Sequence, residues 1–251
     1  MPTACITGAS SGIGRDMARG LARRGYDLIL VARRTERLEE LGRTLPVQVQ
    51  TISLDLAQKG NCRALYEQVK DQDLDILINN AGRGLFGPFD ETDLEEELAM
   101  LDINIRCTHI LTKLFLPDFK RRNKGHILNV ASSAAFLPGP LLSSYYASKA
   151  YVLRLSEAIS EELRRAGSQV KISVLCPGPV RTEFNDVAGV RFSIRGLPSP
   201  SVAEYAIERM LRGRLVIVPG LDMKLAHLGA HLAPDQLLLR ICWHMQKRKQ
   251  G

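Results

Sequence analysis

The sequence predicts an α/β fold, a single doubly wound parallel sheet of about seven strands with helices on both faces. Two observations lead to this prediction. Short apolar runs alternate with longer amphipathic segments from the N-terminus onward. The runs are hydrophobic at successive positions, as in Leu28–Val31 and Ile76–Ile78, which is typical of parallel strands covered on both faces.

Each short apolar run is predicted to be a strand, and each longer amphipathic segment between runs is predicted to be a helix. The predicted strands are Thr3–Thr7, Asp27–Ala32, Val47–Ser53, Leu74–Asn79, Gly125–Ala131, Lys171–Cys176 and Leu215–Val218. The predicted helices are Gly12–Arg24, Thr35–Thr44, Gln58–Lys70, Asp93–Phe115, Ser144–Arg165 and Ser201–Leu211.

No linker, repeat or low-complexity stretch divides these elements, so residues 1–218 are expected to form one domain. Within it, residues 178–200 form a long connection punctuated by glycine and proline, a candidate substrate loop. Residues 219–251 lie outside the strand–helix alternation, and we expect them to be a helical, basic-ended extension of the same domain.

The composition limits the partners that the chain can have. Of its 251 residues, 45% are hydrophobic and 24% charged, which suits one α/β domain with a large core. The formal net charge is +7, but the basic residues are dispersed and only Lys247–Lys249 form a run. No aromatic residues interleave with them as a nucleic-acid stacking platform would need. We therefore expect no nucleic acid, and attribute the charge to an anionic cofactor, an acidic substrate or a membrane surface.

The sequence also predicts a cytoplasmic location. Five cysteines are scattered without paired spacing, which favours a reducing compartment and gives no metal signature. The first predicted strand begins at Thr3, so we expect no signal peptide. The longest apolar stretch near the C-terminus is interrupted by His227, His231, Pro234 and Asp235, so no membrane-spanning helix is expected.

A glycine-rich turn lies between the first predicted strand and the first predicted helix. Gly8, Gly12 and Gly14 follow the spacing Gly-x-x-x-Gly-x-Gly. Glycines there permit a tight turn and let the backbone approach a pyrophosphate, which then sits on the helix N-terminus. An ordinary glycine turn has the same composition, but the strand–helix context favours a dinucleotide site.

The second predicted strand ends in Arg33 and Arg34, where an NAD-binding fold usually offers a carboxylate to the ribose 2′-hydroxyl. Arg33 can form a bidentate contact with a 2′-phosphate, and Arg34 can stack on adenine or add charge. The alternative is a solvated, basic helix start. We interpret the pair as favouring NADP(H) over NAD(H).

Two further strand ends are candidate cofactor positions. Asp55, after the third strand, could accept a hydrogen bond from the adenine amino group or cap the following helix. Asn79–Gly82 closes the fourth strand with amides and small residues that suit a bound ribose, although an Asx/Gly turn has the same composition.

Tyr145 and Lys149 are four residues apart, so on a helix their side chains share one face. A tyrosine, with a solution pKa near about 10, transfers protons poorly at neutral pH unless it is tuned. The Lys149 ammonium is expected to stabilise the phenolate and lower the pKa of Tyr145. Ser132, at the end of the fifth strand, could hold a substrate carbonyl oxygen beside the phenol. Packing or solvation could explain each residue alone, but together they favour a nicotinamide-dependent oxidoreductase.

The ordered motifs resemble the short-chain dehydrogenase/reductase family, in its NADP-preferring type with a Tyr-x-x-x-Lys motif. The matches are Thr7–Gly14, Asn79–Gly82, Asn104, Ser132, Tyr145, Lys149 and Pro177-Gly178 with Thr182. The resemblance runs from Thr3 to Val218 and implies a Rossmann-like fold; it does not cover the tail.

The resemblance implies a catalytic tetrad, here Asn104, Ser132, Tyr145 and Lys149. In the family, Asn104 would kink its helix and hold a water that links Lys149 to solvent, and Thr182 would meet the nicotinamide carboxamide. The residues expected to contact the dinucleotide are Gly8, Ser10, Ser11, Gly12, Ile13, Gly14, Arg33, Arg34, Asp55, Leu56, Asn80, Ala81, Gly82, Tyr145, Lys149, Pro177, Gly178, Val180 and Thr182. Ser11 stands where many NADP-preferring members carry a basic residue, so the cofactor preference rests on Arg33.

The expected pocket wall is apolar and suits a steroid, acyl or lipid-like carbonyl, unless its members only pack the loop. They are Leu85, Phe86, Phe136, Leu137, Leu141, Leu142, Phe184, Val187, Val190 and Phe192. Arg181, Arg191 and Arg195 could receive an acidic head group, although solvated charge is the commoner outcome.

These observations predict an NADPH-dependent oxidoreductase that acts on a carbonyl or secondary alcohol. One alternative is an isomerase or lyase on the same scaffold, which usually carries an added C-terminal domain. The other is a catalytically silent, NADPH-binding interaction protein, which the intact tetrad disfavours. The resemblance implies a homodimer or homotetramer. The tail could cover the pocket, contact a neighbouring subunit or make a weak membrane-surface contact.

Overall fold

The structure, a computed structural model, describes residues 1–184, 188–189, 196–221, 223–225, 229 and 233–247. The strands are β1 (Thr3–Thr7), β2 (Asp27–Ala32), β3 (Val49–Ser53), β4 (Leu74–Asn79), β5 (His126–Val130), β6 (Lys171–Leu175), β7 (Val180–Arg181), β8 (Leu197–Pro198) and β9 (Val216–Ile217). The α-helices are α1 (Gly12–Ala22), α2 (Thr35–Arg43), α3 (Asn61–Val69), α4 (Leu94–Leu101), α5 (Thr108–Arg122), α6 (Ser143–Arg165), α7 (Ser199–Leu211) and α8 (Asp235–Lys247). A π-helical segment, Asp102–Cys107, joins α4 to α5.

Within the described residues, seven strands form one sheet in the order β3-β2-β1-β4-β5-β6-β9, and every neighbouring pair is parallel. The chain winds outward from β1 in one direction and from β4 in the other. The predicted doubly wound α/β fold is therefore confirmed. Because all seven strands are parallel, their carboxyl ends meet at one edge of the sheet, where such folds bind ligands.

Helices cover both faces of the sheet. On one face α1, α2 and α7 contribute to a single apolar cluster that includes Met17, Leu38 and Ile207. On the other face α3, α5 and α6 contribute to a second cluster that includes Leu65 and Phe115. This double cover explains why the strand segments are apolar at successive positions.

The structure divides the helix that was predicted over Asp93–Phe115. It contains α4, then the π-helical segment, then α5, which continues past Pro117 to Arg122. A proline lacks one N–H but its φ is compatible with a helix, and the buried Phe115 and Phe119 anchor α5 on both sides of it. The π-helical segment has i→i+5 hydrogen bonds and is only six residues long, so the spacing of apolar residues does not distinguish it from an α-helix.

A buried polar network joins the sheet to the helices behind the carboxyl edge. Asn79 Nδ2 donates to Asn129 Oδ1 at 2.8 Å and to Thr112 Oγ1 at 3.2 Å. Asn129 Nδ2 donates to Ser156 Oγ at 3.0 Å. These bonds hold β4, β5, α5 and α6 in a fixed relation, because buried polar groups are costly to leave unpaired.

The C-terminal extension packs on the start of α6. In α8, Cys242 and Gln246 are buried, and Gln246 Nε2 donates to Tyr146 Oη at 2.5 Å. Earlier in the extension, the Met223 side chain lies against Gly178, where a Cβ would come within 2.7 Å of Met223 Sδ. The predicted tail residues Leu228, Leu232, Arg248 and Lys249 lie outside the described residues.

Candidate active site

Six loops that carry expected site residues leave the carboxyl edge of the sheet. They follow β1 to β6 in turn, and they contain the glycine turn, the arginine pair, Asp55 with Leu56, Asn80–Gly82, Ser132 and Pro177–Thr182. Since the strands are adjacent and parallel, residues that are far apart in sequence are brought to one side of the sheet.

The turn between β1 and α1 has the geometry of a phosphate cradle. Gly8 (φ +65°) and Gly12 (φ +53°) have the positive φ that side chains rarely adopt. A Cβ on Gly14 would come within 2.5 Å of the Gly8 carbonyl oxygen, so only glycine fits there. The first turn of α1 contains no acidic residue, and Ser11 does not cap it. Its N–H groups and positive dipole end therefore fit the pyrophosphate of a dinucleotide.

Asn80 fixes this turn from the neighbouring strand. Its Nδ2 donates to the carbonyl oxygens of Thr7 (3.0 Å) and Gly8 (3.1 Å). Thr7 Oγ1 in turn accepts from the backbone N–H groups of Asn80 (3.0 Å) and Ala81 (3.1 Å). The Asn80 side chain thus positions the cradle, which is a structural reason for an amide at this strand end.

Arg34, rather than Arg33, faces the glycine turn. Arg34 Nη2 donates to Ser11 Oγ at 2.9 Å and to Ser10 Oγ at 3.2 Å. Its Nη1 pairs with Glu183 Oε2 at 2.8 Å. The Arg33 side chain is exposed. A guanidinium held at the turn could reach a phosphate on the adenosine ribose, and Arg33 lies next to it in the chain.

The loop after β3 presents Asp55 and Leu56. Asp55 Oδ1 accepts from Ala57 N at 3.1 Å, which closes a local turn, and Leu56 is buried. The helix that Asp55 could have capped, α3, instead begins after Gly60. The capping alternative is therefore wrong for this side chain, whose carboxylate forms an Asx turn.

Tyr145 is buried at the start of α6. Its ring lies 5.6 Å from that of Phe184 and 6.2 Å from that of Tyr146, centroid to centroid. Burial raises the pKa of Tyr145 above its usual value, and a hydrogen bond with Ser132 opposes that rise. The phenol is therefore protonated at neutral pH and can act as a proton donor.

Ser132 lies directly beyond β5, beside Tyr145. Its Oγ accepts from the backbone N–H of Ala134 at 3.1 Å, which fixes the hydroxyl at the start of a short 3₁₀ turn over Ser133–Phe136. The hydroxyl also donates a long bond, at 3.5 Å, to the Pro177 carbonyl oxygen, which it can exchange for one to the phenol or to an oxygen placed beside it.

Lys149 is buried one helical turn from Tyr145. Its Nζ donates to the Val130 carbonyl oxygen at 3.0 Å and lies 5.8 Å from the centre of the Tyr145 ring. Burial lowers the pKa of Lys149 to about 8. The expectation that Lys149 lowers the pKa of Tyr145 is corrected here. Both groups are desolvated, and desolvation is the largest influence on the phenol, whose pKa it raises.

Asn104 lies in the π-helical segment and points to the same region. Its Nδ2 donates to the Arg83 carbonyl oxygen at 2.9 Å and to Ser148 Oγ at 3.0 Å, and its Oδ1 accepts from Arg83 N at 3.0 Å. A Cβ on Gly82 would lie 2.9 Å from Asn104 Oδ1 and 3.3 Å from Lys149 Nζ. Gly82 thus lets the strand end pass between these two side chains.

The loop after β6 closes over the glycine turn. A Cβ on Gly12 would come within 3.0 Å of Thr182 Cγ2, and Thr182 Oγ1 accepts from Phe184 N at 3.3 Å. Val180 and Pro177 are buried below it. The glycine turn, Asn80–Gly82 and the loop after β6 therefore lie together at the carboxyl edge, and the region between them, called the groove below, is the candidate site for an extended dinucleotide.

An apolar cluster adjoins Tyr145. Its buried members are Met100, Ala134, Leu142, Tyr145 and Ala188, and Leu85, Phe86, Tyr146 and Phe184 pack against them. Four predicted wall residues are thus brought together, whereas Phe136 packs in another cluster on α6. The predicted wall residues Val187, Val190 and Phe192, together with Arg191 and Arg195, lie outside the described residues.

Three groups at the site were not anticipated from the sequence. Glu183 follows Thr182 and pairs with the arginines after β2. Ser148 supports Asn104, and Gln246 contacts Tyr146. Ser148 could have been found from its place inside the Tyr145–Lys149 segment, but the other two pairings join residues distant in sequence and leave no local signal.

The described part of the chain has neither a cluster of metal ligands nor a membrane-spanning helix. No group of three or more histidine, cysteine or acidic side chains is arranged to hold a metal ion. No helix there has both the length and the hydropathy needed to span a membrane. The five cysteines are all described and buried, and none forms a disulfide.

Comparisons with known proteins agree with this geometry. The profile described as short chain dehydrogenase matches residues 2–189. The chain is 37% identical over 178 residues to a very-long-chain 3-oxoacyl-CoA reductase of Phaeosphaeria nodorum, covering 67% of this chain and 52% of that protein. Among solved structures, a Sphingobium yanoikuyae short-chain dehydrogenase in complex with NADPH has a TM-score of 0.82 at 31% identity (94% of this chain, 97% of that one). A Burkholderia phymatum short-chain dehydrogenase/reductase in complex with NAD has a TM-score of 0.82 at 26% identity (90% and 91%).

Proposed function

The chain belongs to the short-chain dehydrogenase/reductase family of oxidoreductases, and on that premise we propose that it is an NADPH-dependent reductase of apolar carbonyl compounds, reversible as an alcohol dehydrogenase. The observation that carries the proposal is the buried Tyr145 phenol between Ser132 and Lys149, beside a groove that fits a dinucleotide. A bound nicotinamide would supply or accept the hydride at the substrate carbon.

Tyr145 is the proton donor in this proposal. Burial keeps its Oη protonated at neutral pH, so it can give the proton to a substrate carbonyl oxygen. Ser132 Oγ, fixed by Ala134 N, donates a second hydrogen bond to that oxygen as negative charge develops. Lys149 remains an ammonium below about pH 8 and stabilises the phenolate that is left.

Asn104 acts through Lys149 and the backbone. Its three hydrogen bonds fix the loop at Arg83 and the helix at Ser148, which places α6 and its two reacting side chains against β5. It is a positioning residue for the geometry that proton transfer requires.

The preference for NADP(H) is supported by Arg33 and Arg34, which follow β2 at the positions where an NAD-binding fold usually carries an acidic residue. Arg33→Ala should weaken binding of NADPH more than that of NADH. Equal losses for the two nucleotides would remove this argument.

The substrate class is supported by the apolar cluster beside Tyr145 and by the relative named as a very-long-chain 3-oxoacyl-CoA reductase. An apolar ketone with a steroid, acyl or lipid-like body would bury its surface against Phe86, Leu142 and Phe184.

We further propose that residues 219–251 belong to the same domain as residues 1–218. The contact of Gln246 with Tyr146 and that of Met223 with Gly178 support this organisation. The exposed Leu237, Ile241 and Trp243 of α8 suit a contact with a second copy in a homodimer or homotetramer, or a weaker one with a membrane surface. The five cysteines, none of which forms a disulfide, support a cytoplasmic location.

The proposal is tested by titrating the purified protein with NADPH and NADH by fluorescence, then screening apolar ketones for NADPH oxidation. Wild type should bind NADPH and turn over at least one ketone. Tyr145→Phe should lower kcat by about 10²–10⁴-fold while NADPH binding stays nearly unchanged. A fully active Tyr145→Phe variant would refute the mechanism.

The two rival functions give different results in the same assay. Turnover without net consumption of NADPH would favour an isomerase or lyase. Tight binding of NADPH without turnover of any ketone would favour a silent interaction protein. Failure to bind either nucleotide would show that the glycine turn is not a cofactor site.

A further inference from the structure

Glu183 pairs with two arginines that follow β2, Arg34 and Arg37. Its Oε2 accepts from Arg34 Nη1 at 2.8 Å, and its Oε1 accepts from Arg37 Nη1 at 2.6 Å. Each carboxylate oxygen thus has its own guanidinium. Among the described residues, no other carboxylate is paired with either arginine.

The position of Glu183 places this pairing at the cofactor groove. The preceding residue, Thr182, lies over Gly12 of the glycine turn. On the other side, Arg34 donates to the hydroxyls of Ser10 and Ser11 within the same turn. The Glu183 carboxylate therefore lies across the groove from the phosphate cradle and is joined to it through Arg34.

The negative charge of Glu183 disfavours the binding of a second anion to Arg34 and Arg37. The two guanidiniums hold the pKa of Glu183 below its usual value, so its carboxylate is ionised at neutral pH. All three side chains are partly exposed, at 41% for Arg34, 45% for Arg37 and 46% for Glu183. Ion pairs at such exposure are weak and can be exchanged for another anion.

We propose that Glu183 is a specificity-determining residue that competes with the adenosine 2′-phosphate of NADP(H) for Arg34 and Arg37. This competition lowers the affinity for NADP(H) relative to that for NAD(H). This inference rests on the proposed function, because it requires a dinucleotide in the groove. NAD(H) lacks the 2′-phosphate and leaves the two ion pairs intact, whereas NADP(H) must share or displace them.

The expected effect is specific to the phosphate. Glu183→Gln keeps the size of the side chain but removes its charge and replaces one of its two acceptor oxygens by an amide donor. It should tighten binding of NADPH and of 2′,5′-ADP by about 3- to 10-fold, the range expected when one or two exposed ion pairs no longer compete. Binding of NADH and of 5′-ADP should not change.

Glu162→Gln is the matched control. It makes the same change in net charge at an exposed position near the C-terminal end of α6. That end leads into β6, so it lies at the edge of the sheet opposite the groove. The Kd values of the four nucleotides would be measured by calorimetry for wild type and both variants at about 20 mM and about 500 mM NaCl. The gain in Glu183→Gln should shrink at high salt, because screening weakens the competition.

The outcomes separate this inference from the proposed function. Tighter binding of only the 2′-phosphorylated nucleotides in Glu183→Gln supports it. Unchanged binding overturns it, and so does an equal gain in Glu162→Gln. Weaker binding of all four nucleotides also overturns it and would make Glu183 a strap that retains the cofactor. If wild type binds none of the four, the proposed function itself fails, and this inference with it.

Discussion

At the scale of single residues, burial decides the protonation of the reacting groups. Tyr145 and Lys149 are both nearly inaccessible to solvent, at 9% and 5% exposure. Desolvation penalises the charged form of each, so the pKa of the phenol rises and that of the ammonium falls. The two pKa values are thus shifted in opposite directions: the phenol stays protonated at neutral pH, and the pKa of the ammonium comes closer to neutral pH.

The pH dependence of reduction should report Lys149. Its pKa of about 8 means that the ammonium is present below that pH and lost above it. The kcat for ketone reduction at saturating NADPH should therefore fall as the pH rises through about 8. Lys149→Met should show much lower activity without this inflection. A wild-type profile that is flat between pH 7 and 9 would contradict this assignment.

His126 should govern stability in acid. Ser173 Oγ gives its hydrogen to the Arg214 carbonyl oxygen at 2.6 Å, so His126 Nε2, 2.8 Å away, must donate to that hydroxyl as a neutral imidazole. Burial lowers the pKa of His126 from 6.5 to about 4. Between those values the unfolded chain binds a proton that the folded chain does not, so stability falls as the pH falls through this window.

The size of the effect follows from the shift. Wild type should lose roughly 3 kcal/mol of unfolding free energy between pH 6.5 and pH 4 from this group, to an order of magnitude. Urea unfolding of His126→Gln, which retains a donor, should show a shallower loss, while His109→Gln at an exposed site should match wild type. Parallel pH curves for wild type and His126→Gln would refute the role of His126.

At the scale of elements, two helices depend on partners from elsewhere in the chain. The π-helical segment places Asn104 against Arg83 and Ser148, so the departure from α-helical geometry is stabilised by three hydrogen bonds at the site. α8 is held by Gln246 against Tyr146, the residue next to Tyr145. Changes in α8 can therefore reach the substrate side of α6.

Replacement of Gln246 tests the role of α8. Gln246→Leu leaves the Tyr146 hydroxyl without its partner and should cost about 1–3 kcal/mol of unfolding free energy. It should also raise the KM for the ketone more than the Kd for NADPH. Gln236→Leu, at an exposed position of the same helix, is the control. If the two variants behave alike, the contact between α8 and α6 is not important for the site.

At the scale of the whole molecule, the parallel sheet gathers the site. Each loop at the carboxyl edge supplies one function: the cradle after β1, the cations after β2, the hydroxyl after β5 and the cover after β6. A dinucleotide would contact several of these loops at once, so its binding should stabilise the fold as a unit.

Thermal unfolding should show this coupling. NADPH at about 100-fold its Kd adds about 2.7 kcal/mol of stability, which should raise the Tm by about 5–10 °C for a chain of this size. Gly12→Val, which would force a side chain against Thr182 at a positive φ, should reduce the shift whatever its own Tm. An equal shift in wild type and Gly12→Val would place the nucleotide elsewhere.

The fold class could be predicted from the sequence alone, and so could the candidates for the reacting groups. Apolar periodicity and the strand–helix alternation are local properties, and they predicted the sheet with errors only at element ends and across the π-helical segment. The glycine turn and the Tyr145–Lys149 spacing are equally local, so the residues of the groove could be named before the fold was known.

The contacts between distant residues, and the burial of the groups at the site, became visible only in the folded chain. It showed that Arg34 rather than Arg33 faces the glycine turn, that Glu183 neutralises it, and that Gln246 joins α8 to the start of α6. It also showed that the Tyr145 phenol is desolvated, which raises its pKa. Pairings between distant residues and the local dielectric arise only when the chain is packed, and no short stretch of sequence encodes them.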